Sequence, residues 1–181
     1  MPDPEFTLLG DGCWLDFVNT ARGRTDPAPD LLPDPAAYHR WTKAEKLISD
    51  VDLIPFGEIR GFRQQLLGLA EALAAGRQAP ASAVAAINAI LTREAGHEML
   101  MRVGGAWQIR FAPARPATAL AAVARSAAAT LAEPERQIRQ CAGSTCSLFF
   151  RDGSASQSRR WCSDTACGAT GRVERRRGLL R

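Results

Sequence analysis

The chain has 181 residues, of which 46% are hydrophobic and 23% charged, and this composition is typical of a folded globular protein rather than a disordered or fibrous one. That length favours one domain, or one domain with a small appendage. No run approaches the roughly 20 apolar residues that a membrane-spanning helix needs, and the acidic start MPDPEFTLLGDG lacks a secretory pattern, so we expect a cytoplasmic protein.

The net charge of +4 conceals an uneven distribution. Residues 1–138 carry 14 lysines and arginines against 16 acidic residues, whereas residues 139–181 carry nine arginines and three acidic residues. A near-neutral body with a basic end indicates an anionic partner for that end. The same skew also occurs in tails that only keep a protein in solution.

The first predicted element is a helix in WLDFVNT, residues 14–20, because its apolar residues recur at helical spacing on one side. Asp16 and Asn19 share the opposite, polar side. A loop rich in proline and aspartate follows at 22–35 and leads to a second helix after Pro35.

Apolar residues at helical spacing predict a third helix over about 57–75, which Gly76 ends. A fourth helix is predicted to begin at Pro80 and to stop at Gly96. Residues 117–132 are rich in alanine and predict a further buried helix that packs closely against its neighbours.

A β-hairpin is predicted between the last two helices, in HEMLMRVGGAWQIRF, with a glycine-containing turn. The two rows of alternating apolar residues that we expect to face each other are Met99, Met101 and Val103, and Trp107, Ile109 and Phe111. Leu100 falls on the wrong face of this arrangement, which weakens the hairpin pattern.

No motif of a metalloprotease, a phosphate-binding loop or a nucleophile elbow occurs in this first part of the sequence. We therefore expect a protein that is not an enzyme and is mainly α. Its predicted organisation is a multihelical domain with one β-hairpin over residues 1–135, followed by a small domain over residues 136–181.

The second domain contains four clustered cysteines with the spacing C-x4-C-x15-C-x4-C, namely Cys141, Cys146, Cys162 and Cys167. Two short-range pairs separated by a longer segment are typical of a structural zinc site, with these pairs at the long end of the usual spacing. Disulfides or redox-active thiols are the first alternative. Catalytic zinc is the second, and it is disfavoured because four cysteines leave no open coordination position.

The sequence around the cysteines predicts how this zinc finger folds. SLFF at 147–150 predicts a strand, a polar turn follows, and RRW at 159–161 predicts the returning strand. Ser163 is a good N-cap for a helix over about 164–178, which places Cys167 in its first turn, where the helix dipole stabilises a thiolate. The finger thus begins with the short loop between Cys141 and Cys146, which we call the knuckle, and continues with the hairpin and the helix. This order is typical of a treble-clef-like finger that binds Zn²⁺.

Arginines of the finger are the predicted nucleic-acid contacts. They are Arg159 and Arg160 before the third cysteine, and Arg172, Arg175 and Arg176 at positions i, i+3 and i+4 of the helix. Guanidinium groups on a rigid finger bind phosphates with salt-sensitive affinity, so DNA is the expected partner and RNA the alternative nucleic acid. A solvated helix face that pairs with acidic residues of the helical domain is the competing interpretation.

Two stretches resemble the two motifs of the bacterial CGNR zinc-finger proteins: LDFVNT at 15–20 and SLFFRDGSASQSRRWCSDTACG at 147–168. In that family an N-terminal helical domain, called ABATE, precedes a four-cysteine finger. The resemblance covers nearly the entire chain, and it implies a stress-related transcriptional regulator whose finger binds DNA.

The sequence departs from that family at the tetrapeptide that gives the finger its name. Ala169 and Thr170 stand where the family has asparagine and arginine. Neither missing side chain is a metal ligand, so we expect metal binding to survive. For DNA recognition, Arg172 is the nearby arginine that would replace the lost one.

Asp16 and Asn19 correspond to the polar positions of LDFVNT, and two roles are open for them. They could fix their helix to a nearby loop, such as the arginines of RGR at 22–24, or they could hydrogen-bond a small molecule in a pocket near Trp107. The finger also has a second interpretation. It could be a zinc-stapled protein–protein module that packs on its own helical domain or mediates a dimer.

Overall fold

The computed structural model describes residues 6–47, 54–114, 118–133 and 137–176, with the backbone alone at 113 and 174–176. Within these residues the chain is mainly helical, as predicted. Its helices are α1 (Cys13–Asn19), α2 (Pro35–Ala44), α3 (Phe56–Ala74), α4 (Ala81–Leu91), α5 (Ala119–Ala132) and α6 (Ala169–Arg176). Its strands are β1 (Gly96–Val103), β2 (Ala106–Pro113), β3 (Ile138–Gln140) and β4 (Phe149–Arg151). In the described parts of the chain, every helix is too short or too polar to cross a membrane.

Helix α1 lies at the centre of the core, packed against α3, α5 and β4. The Phe17 ring lies 5.0 Å from that of Trp41 in α2, and the Trp14 Nε1 donates a hydrogen bond of 2.9 Å to Thr130 of α5. Both faces of α1 are covered, because Asp16 and Asn19 are as buried as the apolar residues around them.

The predicted helices form, and local signals set some of their ends. The Asp34 carboxylate accepts a 2.7 Å hydrogen bond from the Ala37 amide and so caps α2. Gly76, with φ of 68°, follows the end of α3 in the left-handed conformation that glycine tolerates. The end predicted for α4 was wrong. This helix stops at Leu91, and Gly96 is the first residue of β1.

The predicted hairpin forms, but its predicted facing rows were wrong. The turn has two residues, Gly104 and Gly105, both with positive φ, and it therefore pairs even-numbered residues of β1 with odd-numbered residues of β2. Leu100 pairs with Ile109 and shares its face of the sheet, while Met99 lies on the other face. All eight residues of β1 are exposed.

The finger contains a second hairpin, which differs from the predicted one. Strand β4 pairs with β3, upstream of the first cysteine, instead of with residues 159–161. The Cys141 amide donates to the Leu148 carbonyl at 2.9 Å and closes this local ladder around the first cysteine pair. Residues 159–161 run beside it, where the Arg160 carbonyl accepts from the Ala142 amide at 2.9 Å.

Strand β4 joins the two parts of the molecule. Because side chains alternate along a strand, Phe149 packs into the helical core while Phe150 packs among the cysteines of the finger. Both rings are fully covered, with exposed fractions of 1% and 0%. The finger is thus packed onto the helical domain by its own central strand.

Candidate metal centre

The sulfur atoms of Cys141, Cys146, Cys162 and Cys167 lie within 4.8 Å of one another. The Cys146–Cys162 and Cys162–Cys167 sulfur distances are 3.9 Å and 3.6 Å. A tetrahedral ion with sulfur ligands at about 2.3 Å requires sulfur atoms about 3.8 Å apart, whereas a disulfide requires about 2.05 Å. The four thiols are free and buried, and they fit a four-coordinate metal ion.

Local backbone features set the positions of these ligands. A Cβ atom at Gly143, between the first two cysteines, would lie 3.1 Å from the Cys146 Cβ and 3.6 Å from the Cys167 sulfur, so the knuckle leaves little room there for a side chain. Cys167 lies in a π-helical turn, Asp164–Gly168, that leads into α6. The Ser163 hydroxyl accepts from the Ala166 amide at 3.2 Å and caps that turn, as predicted for this residue.

The cysteine cluster favours a bound cation. The pKa of Cys141 is lowered because the thiols of Cys146 and Cys162 donate hydrogen bonds to its sulfur. The same hydrogen bonds raise the pKa of Cys146 and of Cys162, since a second thiolate would lie against the first. A metal ion would compensate the charge of further thiolates, so we expect metal binding to be coupled to proton release.

One arginine of the helical domain reaches this centre. The Arg24 Nη2 lies 3.9 Å from the Cys162 sulfur, at N–H···S distance. Burial lowers the pKa of Arg24, but the charges and hydrogen bonds of Cys162 and Cys167 outweigh it and raise the pKa overall. No sequence pattern pointed to this contact, because 138 positions separate its two residues.

Asn19 holds the finger rather than a ligand. Its side-chain amide donates to the Phe149 carbonyl and accepts from the Phe149 amide, both at 2.9 Å, which is how a neighbouring strand would pair with β4. The helical domain also contacts the chain two residues before Phe149, where the Ser147 amide donates to the Gly23 carbonyl at 2.8 Å. The RGR segment therefore contacts the finger through its backbone as well as through Arg24, and the Asn19 side chain bonds Phe149.

Asp16 holds the loop that precedes α1. Its carboxylate accepts from the Leu9 and Gly10 amides at 2.8 Å and 3.1 Å. Burial raises the pKa of Asp16, and burial together with the adjacent Asp16 charge raises the pKa of Glu45 to about 8. Among the described residues, Asp16 and Asn19 both bond to backbone groups of the protein, and Trp107 lies on the exposed hairpin, which favours the structural alternative for these two side chains.

Arg159 is also used inside the molecule. Its guanidinium donates to the carbonyls of Trp161 and Cys162, at 3.0 Å and 2.6 Å, and pairs with Asp11 at 3.3 Å. It also lies over the Phe150 ring, 4.5 Å from the centroid. The prediction of Arg159 as a phosphate contact does not fit this position, because its donors already hold the backbone around the third cysteine.

Arg160 and Arg172 are exposed, and both lie close to the half-buried ring of Trp161. Their guanidinium carbons are 5.6 Å and 6.0 Å from its ring centroid. Gly171 makes this packing feasible, since a Cβ there would lie 2.6 Å from the Trp161 Nε1. The predicted contacts Arg175 and Arg176 belong to α6 by their backbone, and their side chains lie outside what the structure describes.

Comparison with known families matches the helical part of the chain and the finger to two separate family models. Residues 11–134 match the ABATE family model, described as "Putative stress-induced transcription regulator". Residues 137–178 match the model of the CGNR zinc finger. No curated protein matches the chain.

Proposed function

Since the chain belongs to the ABATE family and ends in a CGNR zinc finger, we propose that it is a transcription regulator whose finger binds nucleic acid. DNA is the proposed partner, with RNA as the alternative. Zn²⁺ is the proposed metal, because four thiolates in a tetrahedron are the ligand set it prefers. This role needs no catalytic step, since a complete cysteine quartet leaves no position for water. The proposed location is the cytoplasm, where thiols stay reduced.

One observation carries the nucleic-acid proposal, namely the pair of exposed cations on the two chain segments that the metal centre fixes. Arg160 lies two residues before Cys162, and Arg172 lies five residues after Cys167. Metal coordination restrains both segments, so each guanidinium is held at low entropic cost. The stacked ring of Trp161 orients the pair further, and such preorganised arginines suit the phosphates of a nucleic-acid backbone.

A salt titration of DNA affinity tests this function. Fluorescence anisotropy with a short mixed-sequence duplex would be followed as salt rises, for the wild type, Arg160→Ala/Arg172→Ala and the control Arg60→Ala/Arg77→Ala. The control removes two exposed arginines of the helical domain. We expect the finger variant to lower the slope of log affinity against log salt by about two and to weaken all sequences alike, with the control unchanged. Absence of binding at low salt, with metal bound, would contradict the proposal.

A second candidate function is a zinc-stapled scaffold without nucleic acid. The contacts of Asn19 with Phe149 and of Arg24 with Cys162 favour it, because they show one side of the finger already occupied by its own helical domain. Under this function the metal would serve only to hold the two parts together. The same titration separates the candidates, since a scaffold would give no salt-dependent affinity and no difference between the two double variants.

A further inference from the structure

The β1–β2 hairpin carries most of the large apolar side chains that are exposed in the described chain. Of the nine large apolar side chains that are exposed there, seven belong to these two strands. One sheet face is the most open, and we call it the hairpin face. It consists of Leu100, Trp107, Ile109 and Phe111, with exposed fractions of 60%, 67%, 66% and 49%. Together they leave an apolar patch on the order of 400 Å² in water, a size at which exposed patches are often functional.

A two-stranded ribbon has only marginal stability in water unless something covers one of its faces. The strands here are eight residues long. The Arg125 side chain of α5 lies over the Phe111 ring, 5.9 Å from its centroid, while Leu100, Trp107 and Ile109 stay at least 60% exposed. The sequence of the strands is nevertheless rich in the aromatic and branched residues that suit a packed sheet. These features call for a partner surface that is apolar in its centre.

The charges on the hairpin face identify that partner. Glu98 and Arg102 lie on the same face as Leu100, two residues before it and two residues after it. Two copies can be placed face to face about a two-fold axis that runs between them at Leu100, parallel to the sheets and perpendicular to their strands. This axis brings Glu98 of each copy opposite Arg102 of the other. The same axis sets Leu100 against its own counterpart and Trp107 against Phe111, which is a favourable aromatic pair.

We propose that the hairpin face is a self-association surface that joins two copies of this chain into a two-fold dimer. Two such patches in contact would remove on the order of 800–1,000 Å² from water, near the lower limit for specific interfaces. The dimer is therefore reversible and dissociates on dilution. Two ion pairs at the edges of the apolar centre set its register, because any other alignment separates them or brings like charges together.

This dimer does not depend on the metal centre or on the arginines of the finger, so its test is independent of the test of the proposed function. It does have a consequence for that function. A two-fold axis at the hairpins would give each assembly two fingers, and two linked binding modules exceed the affinity of one without any new contact.

Sedimentation velocity over a concentration series tests the dimer with charge-reversal variants. Glu98→Arg alone and Arg102→Glu alone each place like charges opposite one another, so we expect both to be monomers at concentrations where the wild type is a dimer. The double variant Glu98→Arg/Arg102→Glu restores opposite charges and is expected to dimerise again. Arg110→Glu is the matched control, because Arg110 pairs with Met99 on the other face of the sheet and its reversal should leave the dimer intact.

Metal content and far-UV circular dichroism would establish that each variant is folded. A wild type that stays monomeric at all concentrations overturns the proposal and makes a different protein the occupant of this face. Single reversals that dimerise like the wild type, or a double variant that stays monomeric, overturn it as well. Loss of the dimer in Arg110→Glu alone would move the interface to the opposite face and would also overturn it.

Discussion

The two antiparallel ribbons of this protein differ in length and in burial, in opposite directions. In β1–β2 the strands have eight residues each, yet Trp107 is 67% exposed. In β3–β4 the strands have three residues each, yet Phe149 and Phe150 are fully buried. Strand length and β propensity would favour the longer ribbon, so neither property explains the burial of the shorter one.

The difference shows what stabilises a two-stranded sheet. Such a ribbon has no interior of its own, and its stability depends on what lies against its faces. The helical core covers one face of β3–β4, and the cysteine cluster covers the other. In the described chain the Leu100, Trp107 and Ile109 side chains of the hairpin face stay open to water, which is why we place the self-association surface there.

Removal of one sulfur ligand should have the largest effect on this comparison. Cys162→Ser deprives the finger of its metal, and structural zinc contributes on the order of 10 kcal/mol to small metal-dependent folds. We expect loss of bound metal and unfolding of residues 137–176, so that β3–β4 becomes as open to water as β1–β2. Metal analysis by emission spectroscopy and limited proteolysis would measure both changes.

Cys13→Ser is the matched control, since Cys13 lies in α1, outside the sulfur cluster. It should keep the full metal content. Retention of metal and of protease resistance by Cys162→Ser would mean that the sulfur cluster is not what folds the finger.

Removal of the contact between Asn19 of α1 and strand β4 should have the next largest effect. Asn19→Ala leaves the amide and the carbonyl of Phe149 buried without partners, at a cost of about 1–3 kcal/mol for each group. We expect a loss of about 3 kcal/mol in the free energy of unfolding, measured by denaturant titration. Asn88→Ala, at an exposed position of α4, should change it by less than about 0.5 kcal/mol. Equal effects of the two variants would show that the Asn19 contact does not secure the finger.

The sequence predicted those features that depend on near neighbours. Helical spacing located α1 to α5, and the cysteine spacing located all four sulfur ligands, because each signal lies within a short window. The register of β1–β2 was missed for a local reason. The predicted facing of Met99, Met101 and Val103 with Trp107, Ile109 and Phe111 requires an odd number of residues in the turn, whereas the turn has two, Gly104 and Gly105.

Other features could not be predicted, because they arise from contacts between distant parts of the chain. Strand β3 has three residues, too few to show any periodicity. It pairs with β4 because the chain folds back between Cys141 and Leu148, whose backbone groups are hydrogen-bonded. The contacts Asn19–Phe149 and Arg24–Cys162 span 130 and 138 positions. Arg159 and Arg160 are adjacent arginines before the third cysteine, and the sequence does not distinguish them. In the structure Arg159 donates to the carbonyls of Trp161 and Cys162, whereas Arg160 is exposed.

A smaller effect is expected at the contact between α6 and Trp161, which closes the finger on its outer side. Gly171→Ala gains about 1 kcal/mol of helix propensity but places a Cβ 2.6 Å from the Trp161 Nε1, so we expect a net loss of about 1–2 kcal/mol. Gly68→Ala in α3 makes the same change where nothing lies within 4 Å, and it should stabilise the protein by about 1 kcal/mol. Thermal unfolding of both variants tests this difference in sign, and stabilisation by both would contradict the packing of Trp161 on Gly171.

The smallest predicted effect is a pH dependence at the loop that precedes α1 and packs on the finger. Leu9 packs on the finger core while its amide donates to Asp16, and the pKa of Glu45 beside Asp16 is raised to about 8. In the unfolded chain glutamate titrates near pH 4.5, so between about pH 4.5 and 8 the folded state binds more protons and stability falls as pH rises. Glu45→Gln cannot ionise and should flatten that slope, whereas Glu58→Gln, at an exposed position of α3, should preserve it. Thermal unfolding across this range measures the slopes, and parallel curves for wild type and Glu45→Gln would show that no proton is held between Asp16 and Glu45.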